Sequence, residues 1–321
     1  MLPHEGATVK PRTAPVAPAP RRGREAASWA PYLMLAAAVA FWAGNFVIAR
    51  AFRDDLPPVS LNVWRWLVAL AFLLPLSGAE LLRHRVLLLR HGALILALGA
   101  TGVAAFHTFV YLALTSTTVI TAVLLASTVP VVIPVLSWLI FRDRITRAQA
   151  IGTVVSLLGA FVVIVRGDPS AILSLGLDPG ALWMAAAVPM WSLYSVLLKA
   201  VPKTVPPRSL LLATTIAGLV LLLPIYAWRL AEGERMVISA GSVSAILYLG
   251  AFASVLAFLF WIRGVAAVGP TRAGMFVHLM PLFGAILSFT FLGETLARYH
   301  LVGAVLVVSG LVLASRGRAR G

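Results

Sequence analysis

The chain has 321 residues, 60% hydrophobic and only 12% charged, with a mean hydropathy of +0.96, a balance that excludes a water-soluble globular domain. Its formal charge of +15 would fit a nucleic-acid binder, but the basic residues fall in short clusters between apolar runs and not along one solvated face, so that reading is excluded as well. There is no cysteine, which removes disulfide and thiol chemistry.

Residues 1–28, with repeated Pro, Ala and Arg, cannot build a core and are expected to form a disordered cytoplasmic tail. The apolar run 29–52 has spanning length and no small-residue cleavage pattern, so it reads as a first transmembrane helix and not as a removed leader. Further runs predict spans over 57–79, 92–114, 117–141, 147–166, 180–199, 208–228, 241–262, 269–292 and 298–315, followed by a basic cytoplasmic tail, 316–321. No Asp, Glu, Lys or Arg occurs between 92 and 141. One helix of that length, at about 1.5 Å per residue, would far exceed a hydrocarbon core of about 30 Å, so Thr115-Ser116-Thr117-Thr118 must form a tight turn.

With the N-terminus inside, the cytoplasmic segments collect 19 basic residues, in clusters around Arg22, Arg85, Arg144, Lys199 and Arg318, against six outside: Arg50, Arg53, Arg166, Arg229, Arg235 and Arg298. That asymmetry predicts both termini on the cytoplasmic side of a cell (inner) membrane.

Shifting the chain by 149 positions aligns Leu35 to Phe52 with Met184 to Val201, including Ala36 with Ala185, Val39 with Val188 and Trp42 with Trp191. The same shift pairs Pro57-Pro58 with Pro206-Pro207, Ser60 with Ser209 and Pro75 with Pro224. After a two-residue slip, a shift of 151 pairs Leu98-Gly99-Ala100 with Leu249-Gly250-Ala251, Pro130 with Pro281, Arg147 with Arg298, Gly152 with Gly303 and Gly159 with Gly310. Alanine-rich composition alone would not align prolines. The fold expected is all-α: ten transmembrane helices as two five-helix repeats, 29–166 and 180–315. Because five is odd, the copies enter the membrane from opposite sides, the inverted arrangement that alternating access uses.

The Trp42 and Trp191 segments, together with Pro130 and Pro281 followed by Phe141-Arg142-Asp143-Arg144-Ile145 and Leu292-Gly293-Glu294-Thr295-Leu296, resemble the EamA-type drug/metabolite transporters. That resemblance implies a ten-helix exporter with cytoplasmic termini and a central cavity; similar members move amino acids, nucleosides or other metabolites. The family pattern carries a Glu after the fourth helix of each half, which Glu294 keeps and Asp143 replaces.

Several residues point to the cavity. Arg65, in Trp64-Arg65-Trp66, is the only Lys or Arg well inside a predicted span, where a charge costs about 3 kcal/mol unless it faces protein or water. Asn62 and Ala69 share its helix face and would form a polar, small cavity wall. The competing reading is a guanidinium that snorkels to the outer interface. Its mate in the second half is Thr214, so the charge belongs to one repeat only. His107 and His278, whose mates are Phe258 and Ser127, can hydrogen-bond within a bundle or relay protons. Trp42 with Asn45, and Trp191 with Tyr194, lie three residues apart on one face, too deep for a headgroup belt, and Tyr111 is one turn beyond His107. Pro130 and Pro281, expected inside their helices, would each release a carbonyl and act as hinges or be simply tolerated kinks. The glycine pairs seven residues apart are expected to serve close helix packing, of which a subunit contact would be a special case, and they leave the oligomeric state open.

Catalysis is not expected: there is no GxSxG, no HExxH, no Walker A spacing and no Asp or Glu deep in a span. Neither metal nor cofactor is expected. The function expected is secondary active transport, most simply export of a small polar metabolite such as an amino acid or a related zwitterion or anion. Membrane lipid would surround the protein and protons are the candidate coupling ion. A phosphate-ester or nucleotide-sugar exchanger of the same architecture is the alternative, with Arg65 and Lys199 binding phosphate.

Overall fold

A computed structural model describes residues 29–165, 168, 170, 179–292 and 297–316. The tail expected at 1–28, all but Arg316 of the tail expected at 316–321, and Arg166 and Glu294 lie outside the described residues. The described residues form helices joined by turns and irregular segments, with no strand. In chain order the helical segments are α1 (Ala30–Ala51), α2 (Pro58–Arg90), α3 (Gly92–Ser116), α4 (Val119–Phe141), α5 (Arg147–Ile164), α6 (Pro179–Ala200), α7 (Pro207–Ala231), α8 (Ala240–Val268), α9 (Pro270–Met275, a 3-10 turn at Phe276–Leu279, then Met280–Leu292) and α10 (Arg298–Arg316). Nine helices among the described residues are long and apolar enough to cross a bilayer, α9 being the exception. The protein is therefore a multi-pass membrane protein.

Local sequence sets the ends. Pro31 and Pro58 occupy first turns, where their missing N–H has no helical partner to lose. The turn expected around Thr117 forms between α3 and α4, and Thr118 caps α4 by accepting from Thr121 N at 3.1 Å. Thr146 and Gln149 make a reciprocal capping box at the start of α5. Two helices run well past the ends that the hydropathy predicts. The span expected to end at 79 belongs to a helix that continues to Arg90, because charge ends an apolar span without ending a helix, and the Leu- and Arg-rich stretch from Glu80 onward consists of good helix formers. The span expected to end at 262 runs to Val268, where Gly269 breaks it at φ 85°.

The prolines differ from expectation in an informative way. Pro130 and Pro281 do not kink continuous helices. Each sits in the first turn of a new helical piece, just past a break at Ser127-Thr128 in α4 and at the 3-10 turn of α9. A proline tolerated at a helix start therefore marks the far edge of the break. The breaks are repeat-related, since Ser127 and His278 stand 151 positions apart. So are two π-helical stretches, Gly99–Ala105 in α3 and Leu249–Leu256 in α8, whose wide turns leave carbonyls for side chains to bind.

Contacts between the halves repeat in pairs. Helix α1 packs on α8 as α6 packs on α3, and α1 meets α9 as α6 meets α4, while α2 pairs with α7 and α5 with α10. Positions related by the repeat meet each other at the centre: the Trp42 and Trp191 rings are 4.8 Å apart, His107 and Phe258 5.7 Å apart, and His278 Nε2 is 3.0 Å from Ser127 O. At the periphery the glycine pairs let α5 and α10 touch backbone to backbone. A Cβ on Gly310 would lie 2.5 Å from Gly152 O, and one on Gly159 2.8 Å from Gly303 O.

Candidate functional site

The site forms where α1, α3 and α6 meet the breaks of α4 and α9. A small cavity of about 20 Å³ is lined by Trp42, Asn45, Phe46, Phe106, His107, Ala126, Val129, Trp191, Val277 and Met280. That is room for about one water molecule, so this conformation is closed around its centre. Three pairs in the wall are repeat mates: Trp42 with Trp191, Ala126 with Val277, and Val129 with Met280.

Behind Asn45 lies the guanidinium of Arg65, fully buried. Its Nε donates to Ser254 Oγ at 2.8 Å and its Nη1 to Asn45 Oδ1 at 3.2 Å. Nη1 also donates to the Tyr111 hydroxyl, which donates onward to Asn45 Oδ1 at 2.7 Å. Nη2 has no partner, and no Asp or Glu among the described residues pairs with this cation. The Trp66 and Tyr111 rings flank it at 5.5 and 5.8 Å. The snorkelling reading is overturned: a side chain with no exposed surface does not reach an interface. The expected polar wall of Asn62 and Ala69 is also absent from the cavity. Asn62 turns instead to the π-helical stretch of α3, donating to Val103 O at 3.1 Å, Ala104 O at 3.2 Å and Thr108 Oγ1 at 2.9 Å.

The π-helical stretches hold the site together. Trp42 Nε1 donates to Ala253 O at 3.0 Å in the one, and His107 Nδ1 to Gly102 O at 3.1 Å in the other. Because a carbonyl only accepts, Nδ1 of His107 carries the hydrogen. His278 is arranged differently. Its Nε2 donates to Ser127 O at 3.0 Å, and Ser156 Oγ lies 2.7 Å from Nδ1, so both ring nitrogens are occupied.

The residues singled out in the sequence thus fall into layers. Trp42, Asn45, His107 and Trp191 line the cavity. Arg65 and Tyr111 stand one layer behind through Asn45, and Tyr194 packs against Trp191 at 5.2 Å and over Gly102. His278 bridges the two helix breaks and does not line the cavity, while Pro130 and Pro281 adjoin it. Sequence reasoning missed Phe46, Phe106, Ala126, Val129, Val277 and Met280, because apolar residues in an apolar span carry no chemical signal until packing turns them inward. It also missed Ser254, although the repeated Leu-Gly-Ala of α3 and α8 marks the π-helical stretch that presents it.

The duplicated helical bundle that carries this centre has counterparts in known proteins. The sequence profile of the EamA-like transporter family matches residues 29–165 and again 178–316. The chain belongs to the EamA-like transporter family. It is 27% identical over 291 residues to the uncharacterized transporter YyaM of Bacillus subtilis, covering 88% of this chain and 93% of that protein. It is also 27% identical over 289 residues to a probable terminal-alkyne amino-acid exporter of Streptantibioticus cattleyicolor, again covering 88% and 93%. A solved crystal structure with 20% identity superposes with a TM-score of 0.68 over 88% of this chain and 96% of the other, a likeness of fold. As a member of this EamA family the protein is a membrane transporter of a small molecule, embedded in lipid.

Lys199 does not share the site. It ends α6 in direct contact with Asp143, with both side chains about 40% exposed, at 41% and 37%. Burial pushes the Asp143 carboxyl up, but the hydrogen bonds from Lys199 and Ser137 outweigh it and hold the group below the usual carboxylate range.

Proposed function

We propose that this EamA transporter is a secondary active exporter of small metabolites bearing a carboxylate, amino acids or close relatives, working by alternating access between ten spans arranged as two inverted five-helix repeats, with both termini cytoplasmic in a cell (inner) membrane. Protons are the coupling ion proposed. The observation that carries the reading is Arg65: a fully buried guanidinium with a free Nη2 and no acidic partner among the described residues. A buried charge left uncompensated is costly, and a substrate carboxylate that reaches Nη2 when Asn45 moves aside would compensate it. The mated contacts of the two halves support two gates closing alternately around one centre. The cavity of about 20 Å³ must widen to admit a metabolite, which the helix breaks at its wall allow. The name of the Streptantibioticus relative is consistent with this class of substrate. Lys199, already engaged by Asp143, lends no support to the exchanger in which it would bind phosphate beside Arg65.

The test is counterflow of carboxylate metabolites in proteoliposomes. Arg65→Leu should abolish transport, by about 100-fold or more, with normal insertion and folding, and Arg65→Lys, which keeps charge but loses the fork, should retain part of it. A well-folded Arg65→Leu that transports at the wild-type rate would sink the proposal. Orientation is tested on the naturally cysteine-free chain: an impermeant thiol reagent outside intact cells should label a cysteine at 170 or 233 but not at 144.

A further inference from the structure

We propose that residues 81–90, the end of α2, bind anionic phospholipid of the cytoplasmic leaflet, with Leu82, Val86 and Leu89 among the acyl chains and Arg83, Arg85 and Arg90 on the headgroup phosphates. The leaflet rests on the orientation proposed above; the lipid chemistry does not.

Helix α2 is longer than a crossing needs. Its 33 residues, at about 1.5 Å each, reach about 50 Å against a hydrocarbon core of about 30 Å, whereas its repeat mate α7 stops after 25. Glu80 marks the inner end of the crossing, because it accepts from Ser209 Oγ at 3.0 Å in the first turn of α7. Only His91 separates Arg90 from Gly92, where the apolar span of α3 begins. Residues 81–90 therefore start and finish at one membrane face and run along it.

The side chains sort accordingly. Leu82, Val86 and Leu89, four and three residues apart, make one exposed apolar stripe, while Leu88 is buried against the bundle. At 3.6 residues per turn, Arg85 borders the stripe on one side and Arg83 and Arg90 on the other. All three arginines are exposed, and none makes an ion pair among the described residues. Glu80, the acid nearest in sequence, is held by Ser209 and Arg208. An exposed apolar stripe edged by free guanidinium groups suits a helix lying in a headgroup layer.

The duplication points to the charge of the lipid. Arg83 and Arg85 stand where the second half, at the opposite face, has Glu232 and Glu234. The charge is thus inverted between the faces, although Ser60 and Ser209 earlier in the same helices are alike. The cytoplasmic leaflet is the negative one, so arginines at that face gain anionic headgroups as partners.

The experiment places a polarity-sensitive fluorophore on Val86→Cys in the naturally cysteine-free chain, and repeats it on Leu89→Cys. The full-length protein is reconstituted in vesicles of phosphatidylcholine and phosphatidylglycerol, with brominated acyl chains on one lipid or the other. Brominated phosphatidylglycerol should quench the fluorophore at least about twofold more than an equal fraction of brominated phosphatidylcholine, and raised salt should shrink the difference. Replacing the arginines together, by Arg83→Gln, Arg85→Gln and Arg90→Gln, should erase the preference while quenching by phosphatidylcholine persists. Equal quenching by the two lipids before that replacement, or a preference that survives it, overturns the anionic site. A fluorophore that neither lipid quenches lies in water if its emission is polar and beneath protein if it is not, and either result overturns the proposal. Labelling of Arg85→Cys by an impermeant thiol reagent outside intact cells overturns the orientation, and with it the leaflet, without touching the lipid preference.

Discussion

The α5–α10 contact and the central cavity are made from the same duplicated sequence and use the duplication in opposite ways. In α5 and α10 the mates are identical glycines, and identity is needed because each backbone must approach the other: a Cβ would come within 3 Å of a carbonyl oxygen from either side. In the cavity wall and the layer behind it the mates have diverged, Asn45 against Tyr194, Arg65 against Thr214, His107 against Phe258, while the Trp42 and Trp191 pair is kept. A scaffold contact is symmetric because both sides solve one steric problem. A small asymmetric ligand presents different groups to the two halves, so a site on a pseudo-symmetry axis must lose symmetry where it makes contact.

The contrast breaks first at the glycines. Gly310→Val places a branched side chain where even a Cβ lies 2.5 Å from Gly152 O, and should cost about 3 kcal/mol, seen as a large fall in melting temperature and in monodisperse yield. Gly284→Ala, with nothing within 4 Å of its Cβ, should be neutral by the same measurement. A Gly310→Val variant as stable as wild type would show that α5 and α10 can separate freely.

A smaller effect sharpens the difference between the two buried histidines. His278→Ala leaves Ser127 O and Ser156 without their imidazole, for about 1–3 kcal/mol of stability, yet should not change substrate affinity, because His278 is outside the cavity wall. His107 substitutions should do the reverse. If His278→Ala binds substrate tenfold more weakly at unchanged melting temperature, the division between pinning and binding histidines fails.

The smallest effect lies at the end of α6. Asp143→Asn removes the charge opposite Lys199, but both partners are about 40% exposed, so the loss should be under about 1 kcal/mol. Because the folded carboxyl is held below its ordinary range, its contribution is full above about pH 4 and disappears as pH falls through the depressed value. Wild type and Asp143→Asn should therefore differ in melting temperature at neutral pH and converge in acid; a difference that grows on acidification would mean the sign is wrong.

Much was legible in the sequence because membrane physics leaves few choices. Apolar runs of spanning length must be helices in lipid, so the spans, the Thr117 turn and the duplication follow from one-dimensional pattern alone. The glycine spacing and the isolation of Arg65 from any nearby acid in its own span were likewise visible as pattern. What the tertiary structure decided is everything that depends on which helix faces which. Arg65 reads in sequence as a cavity wall or an anchor; only the meeting of α1, α2, α3 and α8 places Asn45 between it and the cavity. His107 and His278 read alike, and what separates them is a carbonyl in a π-helical stretch for one and two partners from other helices for the other. Pro130 and Pro281 read as kinks, whereas the break precedes them, because a chain position reports a missing N–H but not where the neighbouring turns choose to open. Hydropathy is a property of each residue by itself, while burial, partner and tautomer are properties of pairs, and pairs exist only once the chain has folded.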